Sequence, residues 1–298
     1  MNKHIFFDNL SATIGALATG KKKFFSHSQE SQPFSELIKK TKIKFPETIQ
    51  EGTFELKAET PVGILDPAFN IVKWYGKDFP VIIYHHGNNE RPFDFRKSAK
   101  NTFYQIFVNT KEEIQANLIV VRAPSHNSSL KDYQNKMTDL ENFAAMISTS
   151  VKLNEAIISQ LRSEGCDKIL TSGISLGGWV TNLHRSYFNT STAYVPLMAS
   201  TFLGELFIRS KYKKLTAKNA LKNPGALKKV LNFDDAFKKV TTPNVFPLLG
   251  RYDQFIEYDV QKESYTGYPV EVIEKGHVTA AISTNVLRNH VMGVLQNI

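Results

Sequence analysis

From Thr53 onward, apolar and polar positions alternate: Phe54, Leu56 and Ala58 against Glu55, Lys57 and Glu59. A period of two predicts a half-buried strand. Residues 61–65 and 70–74 are further strand-like stretches, and together these three predict an antiparallel start to a sheet. The pattern then changes. Residues 81–84, 118–121, 169–170, 194–197, 245–249 and 270–273 are short, largely apolar runs without alternation, as expected of strands covered on both faces. Helical periodicity fills the intervals, most clearly at 140–161 and 177–188, and a last helix is predicted over 278–295. Strands alternating with helices predict βαβ units. The expected fold class is therefore α/β, with a mostly parallel sheet and, through right-handed crossovers, helices on both faces.

Two stretches fall outside this alternation. Residues 1–50 are polar and mixed, and read as an N-terminal extension to a domain spanning 51–298, with a helix near 33–42. The interval between the strands at 194–197 and 245–249 is longer than a simple crossover needs. Residues 201–240 are read as an inserted, mainly helical cap, broken at Pro224-Gly225.

Charge sharpens the picture of that insertion. Residues 201–240 hold ten Lys/Arg and three Asp/Glu, hence +7 of the chain's +9. The expected role is a solvated helical surface. A peripheral anionic membrane is the weaker alternative, and no nucleic-acid motif accompanies the charge. A 42% hydrophobic and 22% charged composition excludes a disordered chain, because enough apolar surface is present to offset chain entropy. No apolar run is long enough to span a bilayer. The mildly apolar stretch 5–18 is interrupted by Asp8, Asn9 and Ser11 and makes a poor secretory signal. Cys166 is the sole cysteine, which excludes an intrachain disulfide or a cysteine-built zinc site and fits a cytoplasmic protein.

The strongest chemical signal is Gly173-Ile174-Ser175-Leu176-Gly177-Gly178, after a predicted strand at 168–172 and before a predicted helix. A serine presented above a sheet edge sits on a strained turn, and side chains two positions to either side would collide. Its hydroxyl needs a base, and the base an orienting group. His277 follows the last predicted strand and Asp253 the one before it, at the strand ends where open α/β sheets build sites. Glu257 is the reserve acid. His126 is a candidate substrate contact and Trp179 a candidate pocket wall. His85 and His86 read as residues that orient a loop, and His184 and His290 as structural, while His4 and His27 lie in the extension. No metal-ligand or dinucleotide motif is present, so no metal and no cofactor are expected.

These features resemble the α/β-hydrolase superfamily, over roughly residues 53–298. The resemblance rests on Ser175, Asp253 and His277 in that chain order, and on His85-His86-Gly87-Asn88-Asn89 after the strand at 81–84. It implies that the histidine–glycine loop supplies one oxyanion-hole amide, from Asn88 or Asn89, and Leu176 the other. Superfamily dehalogenases and epoxide hydrolases carry a carboxylate at the elbow. Serine there implies acyl transfer: a serine hydrolase cleaving a small or medium carboxylic ester through an acyl-enzyme. The alternatives are a peptidase or amidase on short substrates, and a non-catalytic ligand-binding protein of the same fold. The expected partner is a small-molecule acyl substrate, with no nucleic acid, and oligomeric state is left open.

Overall fold

The computed structural model describes residues 2–48 and 50–298. Among these, eight strands form the central sheet: β1 (Gly52–Glu55), β2 (Ala68–Lys73), β3 (Val81–His85), β4 (Asn117–Arg122), β5 (Ile169–Ile174), β6 (Ala193–Leu197), β7 (Leu248–Gly250) and β8 (Glu271–Ile273). Their spatial order is β1-β2-β4-β3-β5-β6-β7-β8. β1 pairs antiparallel with β2, and β2 with β4; every later pairing is parallel. Every residue of β3, β4, β5 and β6 is buried, which is why those segments read as continuous apolar runs rather than as alternations.

Within one strand, successive side chains still part company. Val81 and Ile83 pack with Leu153, Ile157 and Leu161 on one face, whereas Ile82 and Tyr84 join Leu287 and Val291 on the other. The period-two stretch at 54–59 divides between two sheets. β1 ends at Glu55, and Ala58–Thr60 pairs with Lys42–Ile43 and Gly63–Leu65 in a separate three-stranded sheet. Identical alternation on both sides of the break hid it from the sequence.

The helices in chain order begin with α1 (Lys3–Thr19), α2 (Phe34–Lys40), α3 (Leu130–Lys136), α4 (Leu140–Ser163) and α5 (Leu176–Tyr187). α2 and α5 pack on α4. Between β6 and β7 run α6 (Leu203–Ile208), a 3-10 turn (Lys211–Leu215), α7 (Lys218–Leu221), α8 (Pro224–Leu231) and α9 (Asp234–Lys238). Pro224 therefore opens a helix instead of breaking one: the Asn223 side chain accepts the Ala226 N–H at 3.4 Å. Proline is well placed there, because a first-turn amide has no partner within the helix to lose.

α10 (Tyr258–Ser264) follows β7. The predicted C-terminal helix is two, α11 (His277–Ala281) and α12 (Thr284–Leu295), separated at Ile282-Ser283. No described helix is long and apolar enough to cross a membrane.

The N-terminal segment is more than an appendage. α1 packs on α11 and on the 3-10 turn, and buries His4, Asp8 and Ala12. That spacing of four residues makes one helical stripe. The predicted helix at 33–42 is α2.

Candidate active site

Ser175 sits between the end of β5 and the start of α5, with φ 53° and ψ −110°. A non-glycine residue at positive φ is strained and needs its surroundings to hold it. The flanking glycines show how close those surroundings are. A Cβ on Gly173 would lie 2.5 Å from the Gly177 backbone, and one on Gly177 would lie 2.0 Å from the His85 carbonyl oxygen. No side chain fits at either position. The Ser175 amide donates to the Leu197 carbonyl at 2.9 Å, which ties the turn to β6.

The structure brings Ser175, His277 and Asp253 together. His277 Nε2 lies 3.0 Å from Ser175 Oγ, and His277 Nδ1 lies 2.7 Å from Asp253 Oδ2. With Nδ1 donating to the carboxylate, Nε2 is left to accept the serine proton. Asp253 Oδ1 in turn accepts the backbone N–H groups of Phe255 and Ile256, at 2.7 and 2.8 Å. The reserve acid Glu257 pairs with Arg209 at 2.8 Å instead. Burial disfavours the imidazolium of His277, but the charge of Asp253, its hydrogen bond and the charge of Asp8 outweigh it and raise the pKa above 6.5.

Asp8 is a member of the site that sequence reasoning missed. Its Oδ2 accepts the N–H groups of His277 (2.8 Å) and Gln254 (3.0 Å), and its Oδ1 accepts that of Val278 (2.9 Å). One fully buried carboxylate thus ties the loop carrying Asp253 to the loop carrying His277. One turn earlier, His4 Nδ1 lies 2.8 Å from Thr279 Oγ1, and the His4 ring stacks on Tyr252. A Cβ on Gly276 would come within 2.7 Å of Asp8 Oδ2, so glycine there admits the carboxylate. Burial first, and the charge of Asp253 second, push the Asp8 carboxyl above its ordinary range, against the pull of the backbone donors. The sequence signal was faint: His4 and Asp8 stand four apart in an apolar stretch, where Asp8 reads only as an interruption.

The loop after β3 faces the serine. Gly87, Asn88 and Asn89 line the same cavity as Ser175 and Leu176. Leu176 opens α5, so its N–H has no intrahelical acceptor and the helix dipole favours negative charge beside it. His86 Nε2 accepts the Ala123 N–H at 3.1 Å, which leaves Nδ1 to donate to the Gly87 carbonyl at 2.6 Å. Asn88 Oδ1 accepts from the Tyr133 hydroxyl at 2.6 Å. His126, expected as a substrate contact, does not line this cavity: it is buried behind the loop, packed against His86 and Tyr133, with Nε2 3.3 Å from Asn88 Oδ1. Its position at the end of β4 was read correctly, but the ring turns inward to support Asn88.

Glu90 completes the loop from below. Its carboxyl accepts the Thr102 N–H at 2.9 Å, and burial raises its pKa to about 7. Of the other histidines, buried His85 has Nδ1 3.0 Å from the His86 carbonyl oxygen, buried His184 pairs with Glu155, exposed His27 pairs with Asp139, and His290 donates to the Phe246 carbonyl. Among the described residues, no group of His, Cys, Asp and Glu side chains is arranged to hold a metal ion.

The cavity holds about 320 Å3, the small end of the range for small-molecule sites. Trp179 lines it, with Phe24, Phe143, Leu206, Phe207 and Phe255. Ser11, Ala12 and Gly15 of α1 form another part of its wall.

No protein-family profile matches this sequence, and no curated protein matches it by sequence. Solved structures do match its fold. Est1E from Butyrivibrio proteoclasticus is 14% identical, with a TM-score of 0.54 over 83% of this chain and 100% of that one. Acetyl xylan esterase 1 from Thermoanaerobacterium sp. is 11% identical, with a TM-score of 0.52 over 90% of this chain and 96% of that one. The acylaminoacyl peptidase of Pyrococcus horikoshii is 19% identical, with a TM-score of 0.52 over 83% of this chain but 40% of that longer one. At such identities the likeness speaks for the fold. Strand order, elbow and these likenesses agree: the chain has the fold of the α/β-hydrolase superfamily.

Proposed function

We propose that the protein is a serine hydrolase that cleaves a small or medium carboxylic ester. The observation that carries this reading is the continuous chain Ser175 Oγ, His277 Nε2, His277 Nδ1, Asp253 Oδ2, with links of 3.0 and 2.7 Å. A binding protein that merely kept the fold has no need to hold a serine at strained φ in line with a base and its carboxylate.

In this mechanism His277 Nε2 takes the Ser175 proton as Oγ attacks the carbonyl carbon. The oxyanion meets the Leu176 amide and an amide of the Asn88-Asn89 loop, each worth about 3 kcal/mol of barrier. His277 then hands its proton to the departing alkoxide, leaving an acyl-enzyme. Water, deprotonated by the same imidazole, attacks the ester carbon; the tetrahedral intermediate then collapses, the acid departs, and His277 returns the proton to Ser175 Oγ. Asp253 holds the tautomer and stabilises the imidazolium. The aromatic walls accept an apolar group of modest size, and the helices of 203–238 together with α1 act as the cap over it. The lone buried thiol, Cys166, supports a cytoplasmic location.

The likeness to an acylaminoacyl peptidase favours amide cleavage as a second reading. Labelling with a fluorophosphonate, read by intact mass, tests both. A single adduct on the wild type and none on Ser175→Ala is expected. A folded wild type that takes no label overturns the catalytic reading. Paired ester and anilide substrates then separate esterase from amidase.

A further inference from the structure

α1 is built inside out. Its buried stripe is His4, Asp8 and Ala12, whereas Phe6, Phe7, Leu10, Ile14 and Leu17 face outward. Leu17 is 77% exposed and Ile14 57%. The two ionisable side chains between Lys3 and Lys21, His4 and Asp8, are both turned into the protein. A solvent-facing helix ordinarily carries its charge outward and its apolar stripe inward. This one has exchanged them, because its inner face holds the two loops that carry Asp253 and His277.

The segments that carry and flank the stripe are basic, and the exposed Glu274 near His4 is paired with Arg251 at 3.1 Å. Every exposed charged side chain in 3–23 and in the adjoining turn 211–215 is a lysine: Lys3, Lys21, Lys22, Lys211, Lys213 and Lys214. Lys214 Nζ donates to Thr13 Oγ1, and Lys23 Nζ to the Lys214 carbonyl, so the basic turn lies alongside the stripe. At the other side Ile282, 73% exposed, extends the apolar surface to the rim of the cavity.

We propose that this face docks on an anionic lipid surface, with the apolar stripe of α1 entering the headgroup region and the flanking lysines meeting lipid phosphates. Outward Phe and Leu with flanking lysines are what such a surface binds. A second copy of the chain is the weaker occupant. A two-fold contact through α1 would bring both lysine clusters together, and no exposed acidic side chain in either segment is there to balance them. Docking does not depend on catalysis. It sets the mouth of the cavity, walled by Ser11, Ala12 and Gly15, against the lipid.

The test is co-sedimentation of the full chain with phosphatidylcholine vesicles, with and without phosphatidylglycerol, at low and high salt. The wild type should bind the anionic vesicles at low salt and be released at high salt. Ile14→Glu with Leu17→Glu should weaken binding by at least about ten-fold. Each of Lys22→Gln and Lys213→Gln should weaken it roughly five-fold. Phe6→Ser with Leu10→Ser, on the same face, serves if the first pair does not fold. Absence of wild-type binding at low salt overturns the proposal, as does binding that both apolar pairs leave unchanged. A dimer in light scattering that Ile14→Glu/Leu17→Glu dissolves, without vesicle binding, assigns the stripe to a second copy instead. Fluorophosphonate labelling of the same samples reads the serine independently.

Discussion

Asp8 holds His277 by its backbone: the carboxylate accepts the His277 N–H at 2.8 Å across 269 residues of chain, and the Gln254 and Val278 amides at 3.0 and 2.9 Å. A helix outside the sheet thereby sets the spacing of the two loops whose side chains meet at 2.7 Å.

Removing that carboxylate should therefore be felt in two separable ways. Asp8→Ala leaves three amides without an acceptor and should lower stability by about 3 kcal/mol, with kcat on an ester falling at least about ten-fold as the loops drift. Asp8→Asn keeps one acceptor oxygen but removes a charge that raises the His277 pKa. Its kcat/KM profile should shift to lower pH on the acid side. An Asp8→Asn profile that coincides with the wild type would refute electrostatic coupling, whatever the stability loss.

The relay itself sets the pH dependence. His277 must be neutral to act as base, and its pKa is raised above 6.5, so kcat/KM should rise with pH through a midpoint above that value. Asp253→Asn should lower kcat by about 10^4 through the wrong tautomer and move the midpoint down. Glu257→Gln, which breaks only the pair with Arg209, should change kcat less than about two-fold. Parallel pH–rate profiles of the three proteins give the answer; a larger loss in Glu257→Gln than in Asp253→Asn would reassign the acid.

Glu90 links pH to stability with a definite sign. Burial raises its carboxyl from 4.5 to about 7, so the folded protein retains a proton that the unfolded chain releases. Its contribution is fully present below pH 4.5 and is lost as pH rises through 7. Glu90→Gln, permanently neutral, should flatten the fall in Tm across that window. Thermal melts at a series of pH values check this. An equal slope in wild type and variant would rule Glu90 out as the source.

Leu206 is buried and lines the cavity beside Phe207. Leu206→Trp should occupy part of the 320 Å3 and shift preference toward the shortest acyl groups, at a cost of about 1–3 kcal/mol from overpacking. Relative kcat/KM on a series of aryl esters of increasing chain length measures it. A series unchanged by the substitution would place the acyl group elsewhere.

Much of this protein is written locally. Val81, Ile82, Ile83 and Tyr84 announce a strand buried on both faces because burial acts on each residue of the run alike. Gly173, Ser175 and Gly177 announce a tight turn because the clash they avoid lies within five residues and one neighbouring strand. The order of Asp253 and His277 after the elbow follows from strand succession alone. Other features had no local signature. Whether Asp253 or Glu257 faces His277 depends on which side of a loop turns inward, and His126 differs from a pocket histidine only in the direction of its ring. The role of α1 is the clearest case. Its residues show an apolar stretch interrupted by Asp8, which reads as part of a mixed extension and says neither that a helix forms nor which face of it is covered. Only the tertiary structure decides that the polar stripe faces inward, because the amides that Asp8 satisfies are supplied by loops about 250 residues away, and a hydrogen bond between distant segments leaves no period in either one.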